Sequence, residues 1–172
     1  KMSDDKQKVI EDGLVKAMQA EHEGRYFYLM AADTTTDPQG REVFQRLADE
    51  EKAHYDFLKG QLEAIRSTGK PDDSLKLGNP AGFDGTSPIF SEDLKKRIRE
   101  AHYEMTALSV AAQLELDASN FYKEQAELVD DIVVKTFYLG LAEWESGHYQ
   151  ALLSQQDTLK EYYWSAGGFA PF

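Results

Sequence analysis

Two pairs of residues in this sequence have the types and the spacing to bind metal ions from one face of a helix. Glu51 precedes His54 by three residues, and Glu145 precedes His148 by three residues. Because side chains three positions apart on a helix are neighbours, each pair can direct a carboxylate and an imidazole at one ion. The chain has no cysteine, which excludes thiolate ligands and iron–sulfur centres. The remaining oxygen and nitrogen ligands suit iron first and manganese next, with zinc as a further alternative.

The two Glu-x-x-His pairs belong to a longer internal repeat. At an offset of 94 residues, QAEHEGRYFY aligns with QLELDASNFY and LADEEKAHY aligns with LAEWESGHY without a gap. One such pair alone is more often a solvated or capping pair, and one match between two Ala/Glu/Leu-rich helices would be coincidence. Nine identical positions at a single offset, with His54 and His148 among them, indicate a duplicated helical hairpin.

Each half of the repeat has a further glutamate 30 residues before its Glu-x-x-His pair. Glu21 and Glu51 lie 16 and 14 residues from the turn at Asp37. Their counterparts in the second half are Glu115 and Glu145, which lie 15 residues before and 15 residues after Asp130. In antiparallel hairpins, equal distances from a turn place side chains at one level, so the four carboxylates should meet in one layer.

All four glutamates interrupt apolar helix faces, where a carboxylate is costly to bury. Four buried carboxylates repel one another unless they bind protons or cations. Two helices with Glu-x-x-His facing two helices with a single Glu is the arrangement of di-iron and di-manganese carboxylate bundles. The sequence therefore predicts a site for two metal ions, with these six ligands: Glu21, Glu51, His54, Glu115, Glu145 and His148.

Four long segments with a 3.6-residue apolar period must position these ligands. They form a first hairpin over about 4–66 and a second over about 106–162. A Gly-, Pro-, Asp- and Ser-rich crossover should span 67–90, a short helix could begin at Ser91, and the tail at 163–172 should be irregular. The predicted long helices span about 4–32, 38–66, 106–126 and 130–162.

Loop lengths predict how the four helices are connected. Short turns make the two helices of each hairpin antiparallel neighbours. The crossover has more than 20 residues, enough to run the length of a helix of roughly 45 Å. We therefore expect an all-α, ferritin-like four-helix bundle, built from two duplicated hairpins in a single domain over 1–172.

Composition excludes several classes of function. The net charge of −12 disfavours binding to nucleic acid or to anionic membranes, which recruit Lys and Arg. No apolar run is long enough to span a membrane. The N-terminus lacks the apolar core of a signal peptide, so we expect a cytoplasmic protein.

The helical segments resemble those of rubrerythrins, within the ferritin-like superfamily. KAMQAEHEGRYFY resembles their first-helix motif, and FQRLADEEKAHYDFL is more similar still to their second-helix motif. The resemblance spans about Lys8 to Leu153 and excludes the crossover and the tail. It implies a centre of two iron ions, or of manganese, that reacts with oxygen or peroxide.

The resemblance also implies a role for each ligand. Glu51 and Glu145 would be the catalytic carboxylates that bridge both ions. Each histidine would complete the ligand set of one ion. The terminal ligands, one for each ion, would be Glu21 and Glu115.

Two tyrosines follow the terminal glutamates by seven residues. By resemblance, Tyr28 and Tyr122 would lie beside the cofactor and support its ligands. An ordinary position in the apolar core is an equally good interpretation of both. Trp144, next to a bridging glutamate, is expected to point away from the ligand face and to pack in the core.

The sequence departs from rubrerythrins in two respects. It lacks the cysteines of their rubredoxin-type centre, and Ala118 stands where they have an extra glutamate. The remaining ligand set is closer to that of bacterioferritin. Small residues near the expected site, Gly24 and Ala118 among them, either permit close packing or leave room for oxygen or peroxide.

The leading functional hypothesis is an oxidoreductase of the ferroxidase or peroxidase type. No Gly-x-Gly-x-x-Gly fingerprint suggests a nucleotide cofactor, so electrons would come from an external donor, for which a rubredoxin-like protein is a candidate. One alternative is an iron-binding and storage protein of the ferritin type. Another is a structural bundle with a vestigial site. We also expect a homodimer.

Overall fold

The computed structural model describes residues 2–78, 83 and 85–167. Four long helices and one short helix make up the described chain, with a 3₁₀ turn at Ile98–Glu100 before the third long helix. This confirms the predicted all-α architecture. The helices are α1 (Asp4–Thr34), α2 (Pro38–Thr68), α3 (Glu92–Lys96), α4 (His102–Leu128) and α5 (Ile132–Ala166).

Capping residues fix where α2 and α5 begin. Asp37 accepts a hydrogen bond from the backbone N–H of Gly40 at 3.0 Å and is followed by a proline in the first turn. Asp131 accepts hydrogen bonds from the backbone N–H groups of Val133 and Val134. Such side chains satisfy N–H groups that have no partner within the helix. At its other end, α2 stops at Gly69, whose φ of 71° suits a residue without a Cβ.

The crossover returns to the end of the bundle where α1 joins α2. Asp37, at that turn, accepts a hydrogen bond from the backbone N–H of Ser91 at 3.0 Å and another from its hydroxyl group. Ser91 in turn caps α3, as predicted. At the opposite end, Lys6 of α1 pairs with Asp130 just before α5. Contacts within each hairpin show that its helices are antiparallel. Arg66 near the end of α2 pairs with Glu11 near the start of α1. Gln156 of α5 donates to Ser109 of α4.

Two apolar clusters lie on either side of the middle of the bundle. α1 packs on α2, α4 packs on α5, and the hairpins meet along α1 and α4. One cluster is near the α1–α2 turn and contains Phe44, Leu47, Phe90, Leu108 and Leu152. The other is near the α4–α5 turn and contains Leu14, Leu58, Ile65, Val134 and Leu141.

Helix ends differ from the sequence prediction mainly in the second hairpin. α4 begins at His102, four residues before the predicted start, and α5 continues to Ala166 instead of ending near 162. The prediction of an irregular tail was therefore wrong for residues 163–166, which belong to α5. Packing of Tyr163 accounts for the longer helix. The guanidinium carbon of Arg99 lies 5.3 Å from the centre of the tyrosine ring. The side chain of Tyr163 also packs on the apolar cluster near the α1–α2 turn. Residues 79–82, 84 and 168–172 of the predicted crossover and tail lie outside the described residues.

Among the described residues, none of the helices is sufficiently long and apolar to cross a membrane.

Candidate metal centre

The six predicted ligands are buried near the middle of the four long helices. Each exposes 6% or less of its surface. The structure gathers them into two overlapping groups, within each of which potential ligand atoms lie within 4.8 Å of one another. Glu51 and Glu145 belong to both groups, one of which adds Glu21 and His54, and the other Glu115 and His148.

Several buried oxygens in these groups lack a hydrogen bond of good geometry. They are Oε2 of Glu21, Oε1 of Glu51 and both carboxylate oxygens of Glu145. A buried carboxylate oxygen without a donor is costly, and a bound cation relieves that cost. The donor set, four carboxylates and two imidazoles, therefore fits a pair of divalent metal ions.

Both histidines turn the same ring nitrogen toward the carboxylates. Nδ1 of His54 lies 2.8 Å from Oε1 of Glu145 and 3.3 Å from Oε2 of Glu21. Nδ1 of His148 lies 3.5 Å from Oε1 of Glu115 and 3.6 Å from Oε2 of Glu145. Nδ1 is thus the nitrogen that each ring can offer to a metal ion, in agreement with the internal repeat.

Burial and crowding shift the pKa values of the carboxyl groups. Burial first, and the other carboxylates of the layer second, raise the pKa of Glu51 well above its usual range. Burial and then the charge of Glu145 do the same to the pKa of Glu115. Burial also acts to raise the pKa of Glu145, but hydrogen bonding with Glu115 and the two nearby imidazoles hold it well below its usual range.

The histidines become stronger bases in the same environment. Burial lowers the pKa of His54, but the carboxylates of Glu145 and Glu21 outweigh this effect and raise it to about 10. Burial likewise lowers the pKa of His148, while contacts with Glu115 and other carboxylates raise it to about 12. Without metal the cluster therefore holds protons, which metal ions must displace.

Two tyrosines link the hairpins at the level of the carboxylates. The hydroxyl group of Tyr28 on α1 donates a hydrogen bond to Oε1 of Glu115 on α4. The hydroxyl group of Tyr122 on α4 donates to Oε1 of Glu21 on α1. Burial, and then the charge of the partner glutamate, raise the pKa of each phenol well above its usual range. Both tyrosines can therefore orient a predicted terminal ligand while they also pack in the core.

Trp144 and Glu50 contact the site in a way that sequence reasoning missed. Trp144 packs in the core, but the prediction that it points away from the ligands was wrong. Its ring lies edge-on to the ring of His54, with centroids 4.6 Å apart, and its Nε1 donates to Oε2 of Glu50 at 2.9 Å. The same oxygen of Glu50 lies 2.8 Å from Nε2 of His148. The 94-residue offset aligns Glu50 with Trp144, but this equivalence alone does not indicate that the two side chains meet.

A cavity of about 280 Å³ leads from the surface between α1 and α4 to the carboxylates. Gly24 and Ala118 line it, and the exposed side chains of Glu23 and Asp117 lie at its outer part. The small residues near the site therefore do leave room for a small molecule or ion. Ala118 brings no fifth carboxylate into this space. The other lining residues include four that belong to the site or support it: Glu21, Tyr28, Glu51 and Glu115.

Gly24 allows the carboxylate of Glu51 to reach the centre. A Cβ atom at this position would lie 2.5 Å from Oε2 of Glu51. We expect Gly24→Ala to weaken metal binding by about tenfold or more, because a displaced ligand loses its alignment. The metal-free protein should be as stable or more stable by up to about 1 kcal/mol, since Ala favours helix.

Isothermal titration with Mn²⁺ and thermal melts of the metal-free variant measure these two opposite effects. Gly147→Ala is the matched control, because its Cβ would meet open space beside His148. If Gly24→Ala bound metal as tightly as the control, the close approach of Glu51 would not matter for the site.

Comparison with known families agrees with this geometry. A family model described as Rubrerythrin matches residues 12–109, which is more than half of the chain and includes most of the first hairpin and the start of α4. No curated protein and no solved structure gives a significant match. The second hairpin completes the centre through the internal repeat. With a buried Glu/His site typical of a di-iron centre, the chain belongs to the rubrerythrin family.

Proposed function

We propose that the protein is a di-iron oxidoreductase that acts on Fe(II) with oxygen or peroxide. The observation that supports this most strongly is the sharing of Glu51 and Glu145 between two Glu/His groups. The shared carboxylates would hold both ions. Glu21 with His54 would complete one ligand set, and the other would be completed by Glu115 with His148. Bound iron would supply the redox chemistry, by exchanging electrons with the oxidant.

The residues around the centre would control protons, water and ligand geometry. The two histidines, whose Nδ1 atoms both lie near Glu145, must lose a proton to bind metal, and these protons would leave the site because the ions also require ionised carboxylates. Tyr28 and Tyr122 would hold the terminal glutamates in place through their hydrogen bonds. Burial of all six ligands excludes bulk water, so that the cavity between α1 and α4 would be the route for oxidant and ions.

Metal content tests the first part of the proposal. We expect about two ions per chain in protein reconstituted with Fe(II) without oxygen and then desalted, because the two groups share ligands and should fill together. Elemental analysis against protein concentration from amino-acid analysis measures this number. One ion per chain, or none, would contradict a paired centre.

Ala118 favours oxygen over peroxide as the oxidant. Rubrerythrins have a further glutamate at this position, so we expect peroxide to react more slowly here than oxygen does with the reduced centre. Stopped-flow mixing of Fe(II)-loaded protein with each oxidant gives the order directly. Ala118→Glu, which adds a carboxylate in a cavity with room for it, should shift the preference toward peroxide. If peroxide already reacts far faster in the unchanged protein, the peroxidase function should replace ferrous oxidation.

Repeated turnover should require an external electron donor, since the chain has no cysteine for an iron–sulfur relay. We expect one round of oxidation per reduced centre when protein and oxidant are mixed alone. Adding a reduced rubredoxin-like protein should restore turnover, as followed by oxidant consumption. If the reduced rubredoxin-like protein failed to restore oxidant consumption while a small-molecule reductant did restore it, the choice of donor would be wrong.

A ferritin-type storage function differs from the proposed one in the assembly that it needs. Storage requires a closed shell of many subunits, whereas we propose a homodimer. Light scattering should give a particle of about twice the chain mass. A particle of many subunits that retains oxidised iron would favour storage instead.

A further inference from the structure

The two halves of the centre differ at one pair of equivalent positions. Glu50 and Trp144 are aligned by the internal repeat, and each immediately precedes a shared glutamate. Each contacts the histidine of the other hairpin. The pair is also bonded to itself, because Nε1 of Trp144 donates to Oε2 of Glu50 at 2.9 Å. The two histidines therefore have chemically different neighbours.

A carboxylate lies behind the ring of His148. Nδ1 of this histidine faces the ligand carboxylates, and Nε2, on the opposite side of the ring, lies 2.8 Å from Oε2 of Glu50. Glu50 is itself only 7% exposed. A buried carboxylate at this nitrogen fixes the orientation of the ring and its tautomer, and it makes the metal-binding nitrogen more basic.

An indole ring lies beside His54 instead. The rings of Trp144 and His54 meet edge to face at an interplanar angle of 88°. No carboxylate of the described residues forms an ion pair with Nε2 of His54, whose contacts with carboxylates are all made through Nδ1. The orientation of this ring depends on packing and on the carboxylates that face Nδ1, because none of the described carboxylates supports the ring from the Nε2 side.

We propose that Glu50 is a positioning residue that acts through His148 and makes the metal site of this histidine the tighter of the two. The two ions would then bind in sequence, first beside His148 and then beside His54. The N–H of Trp144 supports this role, since it holds the carboxylate of Glu50 in place. The inference rests on the proposed two-metal function and goes further, because the repeat alone would make the two sites equal.

Titration of the unchanged protein gives the first test. Isothermal titration of the metal-free protein with Co²⁺ should show two steps whose dissociation constants differ by about tenfold or more. A difference of this size is expected when only one of the two histidine ligands has a carboxylate behind its ring. Glu50→Gln should weaken the tighter step and bring the two together. Two ions that bind with equal affinity would overturn the inference while leaving the two-metal function intact. A protein that binds no Co²⁺ would contradict the function itself.

Single-histidine variants locate the effect. His54→Ala retains the group that contains His148, and His148→Ala retains the other group. Adding Glu50→Gln should weaken Co²⁺ binding by about tenfold to a hundredfold in the first background and by less than about twofold in the second. The visible absorption of bound Co²⁺ should change in the first background only. Equal losses in both backgrounds would mean that Glu50 acts through general stability.

The matched control is Asp49→Asn, which removes the same charge from an exposed neighbouring position on α2. It should leave both binding steps unchanged, and melts of the metal-free variants verify folding. If the histidine variants do not fold, the two-step titration of the unchanged protein and of Glu50→Gln still decides the question. A control that weakens the first step as much as Glu50→Gln would overturn the inference.

Discussion

Glu51→Ala and Glu145→Ala should each abolish binding of the metal pair. Each of these carboxylates belongs to both ligand groups, so its removal takes a ligand from both ions at once. Under conditions that saturate the unchanged protein with about two ions, we expect less than about half an ion per chain in either variant. Metal analysis after equilibrium dialysis measures the loss.

Glu21→Ala and Glu115→Ala are the matched comparisons, since each removes a glutamate that belongs to only one group. About one ion per chain should remain in both variants. Glu21→Ala and Glu115→Ala also remove the hydrogen-bond acceptor of a buried tyrosine, so thermal melts of all four metal-free variants separate effects on folding from effects on metal binding. Equal losses from the four variants would show that the division between shared and terminal ligands is wrong.

Metal-free protein should lose stability as the pH rises from 5 to 8. The pKa values of Glu51 and Glu115 are raised in the folded state, and those of His54 and His148 are raised from 6.5 to about 10 and about 12. A group with a raised folded-state pKa binds more protons when folded. Its stabilising contribution is complete below the unfolded-state pKa and is lost as the pH rises through the folded-state pKa.

The slope of the free energy of unfolding against pH follows from the number of protons that only the folded state binds. Each proton that only the folded state binds lowers the free energy of unfolding by about 1.4 kcal/mol per pH unit. Between pH 7 and 8 both histidines satisfy this condition, because their folded-state pKa values are about 10 and about 12. Glu145 acts in the opposite sense, because its pKa is lowered, but its contribution is lost only as the pH falls below the usual glutamate range.

Chemical denaturation of metal-free and metal-loaded protein at several pH values measures both effects. The loaded protein should lack the decline, because metal ions favour ionised carboxylates and neutral imidazoles. The double variant Glu51→Gln and Glu115→Gln should reduce the decline in the metal-free protein. Identical pH profiles with and without metal would contradict a convergence of the four carboxylates.

The ligands could be predicted because their chemistry conflicts with their position. Glutamates such as Glu21 and Glu115 on an apolar helix face are costly unless something neutralises them, and this conflict is visible in the sequence alone. Capped helix ends could also be predicted, as Asp37 and Ser91 show. The level of the carboxylates followed from distances to the turns.

Contacts between helices could not be predicted in the same way. The direction of Trp144 depends on how closely α5 approaches α2, which no spacing along one helix reveals. The start of α4 gave no signal because Ala101 has no side chain that can cap it. The end of α5 depends on packing of Tyr163 beside Arg99, a contact with a residue far away in sequence.

The crossed tyrosine bonds have a consequence for ancestry. Tyr28 of the first hairpin donates to Glu115 of the second, and Tyr122 of the second donates to Glu21 of the first. One hairpin alone therefore contains the donor of one bond and the acceptor of the other. A single hairpin peptide could satisfy these bonds by pairing with an identical copy of itself about a twofold axis. Joining two copies in one gene removes the dependence of such a pair on concentration. It also frees equivalent positions to diverge, so that a carboxylate at Glu50 can face an indole at Trp144, which two identical chains cannot achieve.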